Sequence, residues 1–261
     1  MIDRLGRSVL DALAAVGEVS MFAGRALRDT FLPPYEFGEF FRQLYELGWR
    51  SAPLIAASGV AIGVVMSMHT RSTLERFGAE AMIPAGLGLS VVAEIGPLIT
   101  ALLMAGRAGA GIGAELGAMK VTEQIDALEA VAVDSFRYLS VTRVAAAVVA
   151  LPLLTVLMDF AAIVGGYLAE MLVSGMSFGL YLTRTFTYID FSDVLPSTLK
   201  TAVFGFIIAV TGSYLGFTTS RGTEGVGHAS TRAVVASSIL IIVADVVLVR
   251  IIMFFFPRGM V

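Results

Sequence analysis

The stretch that decides how this chain folds is "LSVVAEIGPLIT", residues 89–100. It lies inside an apolar run long enough to cross a bilayer, since about 20 helical residues span the hydrocarbon core. Yet it holds a carboxylate, Glu94, and a helix breaker, Pro97, in the same turn. A charge at mid-bilayer costs roughly 2.5–3.5 kcal/mol on insertion scales, so Glu94 requires a polar or wet environment. Pro97 has no N–H and frees the carbonyl of Ala93, and Gly96 weakens the turn further. A loosened turn beside a carboxylate suits the wall of a polar cavity better than a lipid-facing surface. The plainer alternative is a structural ion pair or a residue facing a helix seam.

Composition fixes the class around this stretch. Of 261 residues, 57% are hydrophobic and only 15% charged, against about a quarter charged in soluble domains. With a mean hydropathy of +0.84, the chain reads as an all-α integral membrane protein. Its net charge of −3 gives no sign of nucleic-acid binding. There is no cysteine, hence no disulfide, thiolate metal site or cysteine nucleophile. His69 and His228 are far apart in sequence and make no metal site by themselves. No catalytic residue, metal or cofactor is expected. The first residues carry scattered charges and no uninterrupted apolar core, unlike a secretory signal.

Hydropathy predicts five spans, at about 51–70, 82–106, 142–173, 199–218 and 233–256, forming a transmembrane domain over 51–256. Residues 1–50 precede it as amphipathic interfacial helices. Ile2, Leu5, Val9, Leu13 and Val16 recur at helical spacing against a charged face. After Pro33 and Pro34, Phe37, Phe40, Phe41, Leu44 and Leu47 do the same. A helix packed on a soluble partner is the alternative for the first of these. With the N-terminus cytoplasmic, twelve Lys and Arg fall on that side against five or six on the other, which predicts N-in and C-out. An odd number of spans weakens a reading as two inverted halves.

Three further features could carry function. Between the second and third spans lies "AELGAMKVTEQIDALEAVAVDSFRYLSVTR", residues 114–143. Thr122 can cap a short helix with Glu123 in its first turn. Ile125, Leu128 and Val131 or Ala132 would form its apolar face and Glu123, Asp126 and Glu129 its polar one. That is either a docking element for a soluble partner or a solvated loop helix. Before it, Gly109, Gly113 and Gly117 make two GxxxG steps, suited to packing within the subunit or to a dimer face. No GxGxxG or GK[ST] occurs, so ATP hydrolysis, if it drives this protein, belongs to another subunit. The ionisable residues in or beside spans are Glu94, Asp159, Glu170, Lys200, Asp245 and Arg250. Glu94 and Lys200 could line one cavity, whereas Asp159 and Asp245 read better as structural.

"AEIGPLITALLMAGRAGAGIGAELGAMKVTEQIDAL" (93–128), "STLKTAVFG" (197–205) and "TTSRGTEGVGHASTRAVVASS" (218–238) resemble, in order, the recurrent blocks of the MlaE/YrbE permease subunits of MCE-type lipid ABC transporters. The resemblance covers roughly residues 40–256. It implies a homodimeric core, a cytoplasmic ABC ATPase docked on a coupling helix at about 115–132, and a periplasmic MCE-domain lipid-binding protein. Some such systems add a STAS-domain protein. It implies phospholipid or a related lipid as substrate and the bacterial inner membrane as location. Glu94 takes the family's acidic position and Lys200 its lysine, both around the lipid cavity with Ile95 and Pro97. Glu115, Met119, Thr122, Glu123, Gln124 and Asp126 take the ATPase-coupling positions. Two departures stand out. Ala93 replaces the arginine that many members carry before the glutamate. The "DP…YL…PR" pattern reads Asp134-Ser135, Tyr138-Leu139 and Thr142-Arg143, without its prolines. An ion- or proton-coupled carrier with Glu94 as the protonated site is the main alternative, and an intramembrane enzyme the remote one.

Overall fold

A computed structural model describes residues 2–220 and 222–255, and its described residues form helices and turns with no strand. Five helical stretches are long and apolar enough to cross a membrane: Phe37–Phe77, Glu80–Val121, Phe136–Ser174, Phe191–Phe217 and Gly222–Phe255. Each contains one of the five expected apolar runs or nearly all of it. The last two begin well before their apolar cores, because helix continues through polar residues such as Asp193 and Lys200 or Thr231 and Arg232.

The elements are α1 (Ile2–Thr30), α2 (Phe37–Leu47), α3 (Ala52–Leu74), α4 (Ile83–Ser90), α5 (Gly96–Met104), α6 (Ala110–Val121), α7 (Gln124–Ala130), α8 (Thr142–Ser174), α9 (Phe178–Phe186), α10 (Phe191–Phe217) and α11 (Gly222–Phe255). Wide π turns at Val91–Ile95 and Ala105–Gly109 join α4, α5 and α6 into one long run. The helix α9 falls between the third and fourth expected spans, where hydropathy predicts no element. Its nine residues are too few to span, but Tyr181 and Thr185, one turn apart, are both fully buried. Thr185 contacts Gly88 of α4.

The chain forms two compact units, each built from three separated stretches. The first comprises residues 1–44, 105–147 and 206–237. In α1, the side chains of Ile2, Leu5, Val9 and Leu13 lie outside the described residues. Further along, the Phe22 ring packs edge-on to Phe136 at 4.9 Å and to Tyr214 at 5.7 Å, while the Arg25 guanidinium lies 4.1 Å over Phe136. Aromatic and cation–π contacts of this kind add to plain area burial. They anchor α1 to the segment before α8 and to the end of α10.

The second unit comprises residues 45–104, 148–205 and 238 onward. Small residues bring α3 and α8 together: Gly59 and Gly63 face Met158, Ala161 and Ala162, and Gly165 faces Val60. Beside this seam the Glu170 carboxylate, 1% exposed, accepts from Ser67 Oγ at 2.8 Å and from the Arg71 guanidinium. Arg71 also reaches Glu75 at 2.9 Å. Removing one partner of a buried pair strands the other charge, at about 3–5 kcal/mol. Arg71→Ala should therefore lower thermal stability in detergent by about that amount, with Arg71→Lys recovering part of it. An unchanged melting temperature for Arg71→Ala would refute the clamp.

Candidate functional site

The second membrane helix does not continue as regular α-helix through "VVAEIGP". The Gly96 N–H bonds the Val91 carbonyl across a wide turn. Inserting a π turn ahead of Pro97 absorbs the donor that proline lacks without breaking the rod. The turn also rotates Glu94 relative to a regular helix. Opposite it, Gly96 lies directly against Asp159 of α8, where any Cβ would overlap the carboxylate. Asp159 is 7% exposed, and its Oδ1 has no hydrogen-bond partner among the described residues.

Glu94 meets Lys200 of α10 and Asp245 of α11. The Lys200 ammonium stands 2.8 Å from Glu94 Oε2 and 3.0 Å from Asp245 Oδ1. The Lys200 side chain is 1% exposed and that of Asp245 9%, while Glu94 remains 43% exposed. Burial of an ammonium is tolerable only with such close partners. The cluster borders a cavity of about 260 Å³ lined by Ala93, Glu94, Ser192, Ser197, Lys200 and the α11 residues Val249, Ile252 and Met253, with Asp193. The sequence favours a structural ion pair or a helix seam for Asp245, and the structure pairs it with Lys200 as the second anion on that ammonium. The available signal is its place as the only acid deep in the last span. Ile95 and Pro97 are outside the cavity lining: Pro97 is buried and Ile95 partly so.

The segment after the second span differs from expectation in detail. Residues 115–121 complete α6, and the continuous helix expected at about 115–132 is split at Thr122–Glu123. Thr122 does not cap α7. Its hydroxyl donates to Ala118 O at 2.8 Å, closing the helix before it. Glu123 then turns the chain with a left-handed φ of 59°, and α7 has seven residues. Ile125 is buried as the apolar face requires, but Val131 is 70% exposed because the helix has ended at Ala130. Glu123, Gln124 and Asp126 are exposed and Met119 half-buried. Asp126 accepts from Lys120 at 3.0 Å. Glu115, 50% exposed, lies 2.8 Å from Nη2 of Arg143, whose side chain is fully buried. Arg143 also donates to the Leu139 carbonyl at 2.7 Å. The three glycines face their own chain. Gly109 contacts Ile208 and Ser237, Gly113 contacts Ala229 and Ala233, and Gly117 contacts Thr219.

Five spans long and apolar enough to cross a membrane, with an ion cluster and a cavity among them, define a multi-pass membrane protein with a polar site at its spans. The chain belongs to the MlaE permease family: residues 40–251 match the family model described as Permease MlaE. A "Probable ABC transporter permease protein" of Rickettsia bellii is 37% identical over 241 residues, 92% of this chain and 93% of the relative. The "Intermembrane phospholipid transport system permease protein MlaE" of Haemophilus influenzae is 32% identical over 251 residues, 96% of each chain. "Protein TRIGALACTOSYLDIACYLGLYCEROL 1, chloroplastic" of Arabidopsis thaliana is 31% identical over 230 residues, 88% of this chain and 66% of the relative.

Proposed function

We propose that this chain is the permease subunit of an ATP-driven phospholipid transporter in a bacterial inner membrane. It exchanges lipid with a periplasmic MCE-domain protein, and so serves lipid trafficking or outer-membrane lipid asymmetry. The observation that carries this reading is the Glu94–Lys200–Asp245 cluster beside a cavity, in a chain of this family. The subunit itself is non-catalytic and works as a homodimer with its N-terminus cytoplasmic. A cytoplasmic ABC ATPase, with or without a STAS-domain protein, docks on the surface formed by the end of α6 and by α7. Glu115, Met119, Thr122, Glu123, Gln124 and Asp126 belong to that surface. Its movement on ATP binding and hydrolysis reshapes the lipid cavity near Glu94.

Purification of the tagged chain from native membranes should co-isolate an ABC ATPase and an MCE-domain protein, and the reconstituted complex should move labelled phospholipid only with ATP. Lipid movement driven by a pH gradient without ATP would instead establish the carrier reading. Glu123→Lys reverses an exposed charge at the α6–α7 turn and leaves the core untouched. It should reduce ATPase co-purification and lipid-stimulated hydrolysis several-fold at unchanged melting temperature. Normal values for both would remove this turn from the docking surface.

A further inference from the structure

The charge around the cavity indicates which lipids it accepts. Lys200 is the one cation among the described lining residues, and both Glu94 and Asp245 already hold it within 3.0 Å. At 1% exposure its ammonium has no open face for a lipid phosphate. Even with Asp193 set aside, two carboxylates share one ammonium. Of the two cluster members that line the cavity, Glu94, at 43% exposure, is the one with an open face. Ala93 adds an uncharged wall next to it, and Val249, Ile252 and Met253 add an apolar one. The exposed Ser192 adds a neutral hydroxyl to the lining. At about 260 Å³ the space is near the lower end for small-molecule sites, so it suits a headgroup rather than a whole diacyl lipid. An anionic headgroup would add like charge beside two carboxylates that share one ammonium, which is costly. A headgroup ending in a primary ammonium brings N–H donors to the exposed carboxylate, the pairing that charge-assisted hydrogen bonds favour.

We propose that this cavity selects phospholipids whose headgroup ends in a primary ammonium, with Glu94 receiving the ammonium and Ser192 serving the phosphate. The inference rests on the lipid-permease reading and narrows it to zwitterionic, ethanolamine-type headgroups. Glu94 thus has two tasks: one carboxylate face holds Lys200 and the exposed face reads the substrate. Ala93 is a specificity position because a cation placed there would offer the phosphate a partner that the wild-type wall withholds.

The test uses the full chain incorporated into vesicles of equal parts phosphatidylethanolamine, phosphatidylcholine and phosphatidylglycerol. The protein is re-extracted in detergent, and the lipid it retains is quantified by mass spectrometry against the input. The expected result is enrichment of phosphatidylethanolamine over phosphatidylglycerol by about three- to fivefold, the range of a partly exposed ion pair, with phosphatidylcholine between them. Glu94→Gln should bring the ratio close to one. Ala93→Arg removes no member of the ion cluster and should invert the preference toward phosphatidylglycerol, so it keeps the test valid if Glu94→Gln misfolds. Retention of lipid without headgroup preference, or wild-type preference for phosphatidylglycerol, would overturn the selectivity while leaving the permease reading in place. Phosphatidylcholine retained as strongly as phosphatidylethanolamine would overturn the primary-ammonium requirement. No retained lipid beyond the detergent background would overturn the permease reading with it.

Discussion

Lys200→Ala should be the most damaging single substitution at the cavity, unfolding the protein more easily and abolishing lipid transfer together. The ammonium is the shared counter-ion of two carboxylates, at 2.8 Å from Glu94 and 3.0 Å from Asp245. Without it, Asp245 is left as a charge 9% exposed, and the half-exposed Glu94 repels it. Removing one partner of a buried pair costs about 3–5 kcal/mol. The partial exposure of Glu94 puts the expected loss near the lower end. Such a loss, read as a shift in melting temperature in detergent, is a large share of a typical folding free energy. The diagnostic comparison is a neutral triple variant, Glu94→Gln with Lys200→Met and Asp245→Asn. Replacing a whole ion cluster by neutral groups is often tolerated or stabilising. The triple variant should therefore recover most of the stability lost by Lys200→Ala, yet transfer lipid no better. If Lys200→Ala melts like wild type, the cluster is not electrostatically bound. If the triple variant transfers lipid at the wild-type rate, the cluster is not part of the transport site.

Gly63→Ala should have the largest effect on folding, although it adds only a methyl group. A Cβ at Gly63 would fall on the backbone carbonyl of Ala162, and one at Gly165 would fall on the backbone of Val60. The obstructing atoms are main chain on both sides, so no rotamer change relieves the overlap and α3 must move away from α8. Close helix approach through small residues is the main source of packing energy between spans in lipid, where the hydrophobic effect between helices is absent. Overpacking usually costs 1–3 kcal/mol, and a backbone clash at this seam should exceed about 3 kcal/mol. The expected outcome is little monodisperse protein by size-exclusion chromatography. Gly111→Ala supplies the contrast. Nothing lies within 4 Å of a Cβ there, and replacing a helical glycine by alanine favours the helix by about 0.5–1 kcal/mol. That variant should melt at or slightly above the wild-type temperature. Normal behaviour of Gly63→Ala would mean that the α3–α8 seam is looser than the structure shows.

Much of the site is legible in the sequence because the bilayer makes polarity expensive. Glu94 stands out within an apolar run, and Pro97 marks its turn as irregular. Lys200 can be named as a candidate for the same cavity because opposite charges in spans need each other. Asp245 is noticed as an acid in the last span, but its pairing with Lys200 is not, because nothing in linear order says which face of that span meets Lys200. The π turn that sets the direction of Glu94 is equally invisible: a proline predicts a weakened turn, but not whether the helix kinks, unwinds or widens. At the α6–α7 turn, the sequence casts Thr122 as the cap of α7. A threonine hydroxyl can cap the next helix or bond back to the preceding carbonyl. The choice depends on Glu123 adopting a left-handed conformation, which propensity gives no reason to expect. The short α9 escapes notice because nine residues carry too little periodicity against two long neighbours.

By itself, the order of residues determined that this is an all-α membrane protein with five apolar spans, that Glu94 and Lys200 are among the few charges in or beside them, and that its motifs are those of the MlaE family. These conclusions rest on local quantities: hydropathy over a span, the desolvation of a charge, and the residues within a block. The tertiary structure alone decided that Lys200 is shared between Glu94 and Asp245 and that Asp159 sits against Gly96. It also decided that the Gly109, Gly113 and Gly117 stripe packs against residues of its own chain. Each of those depends on which faces of distant helices meet, and helix rotation is fixed by packing across the whole fold rather than by any one segment.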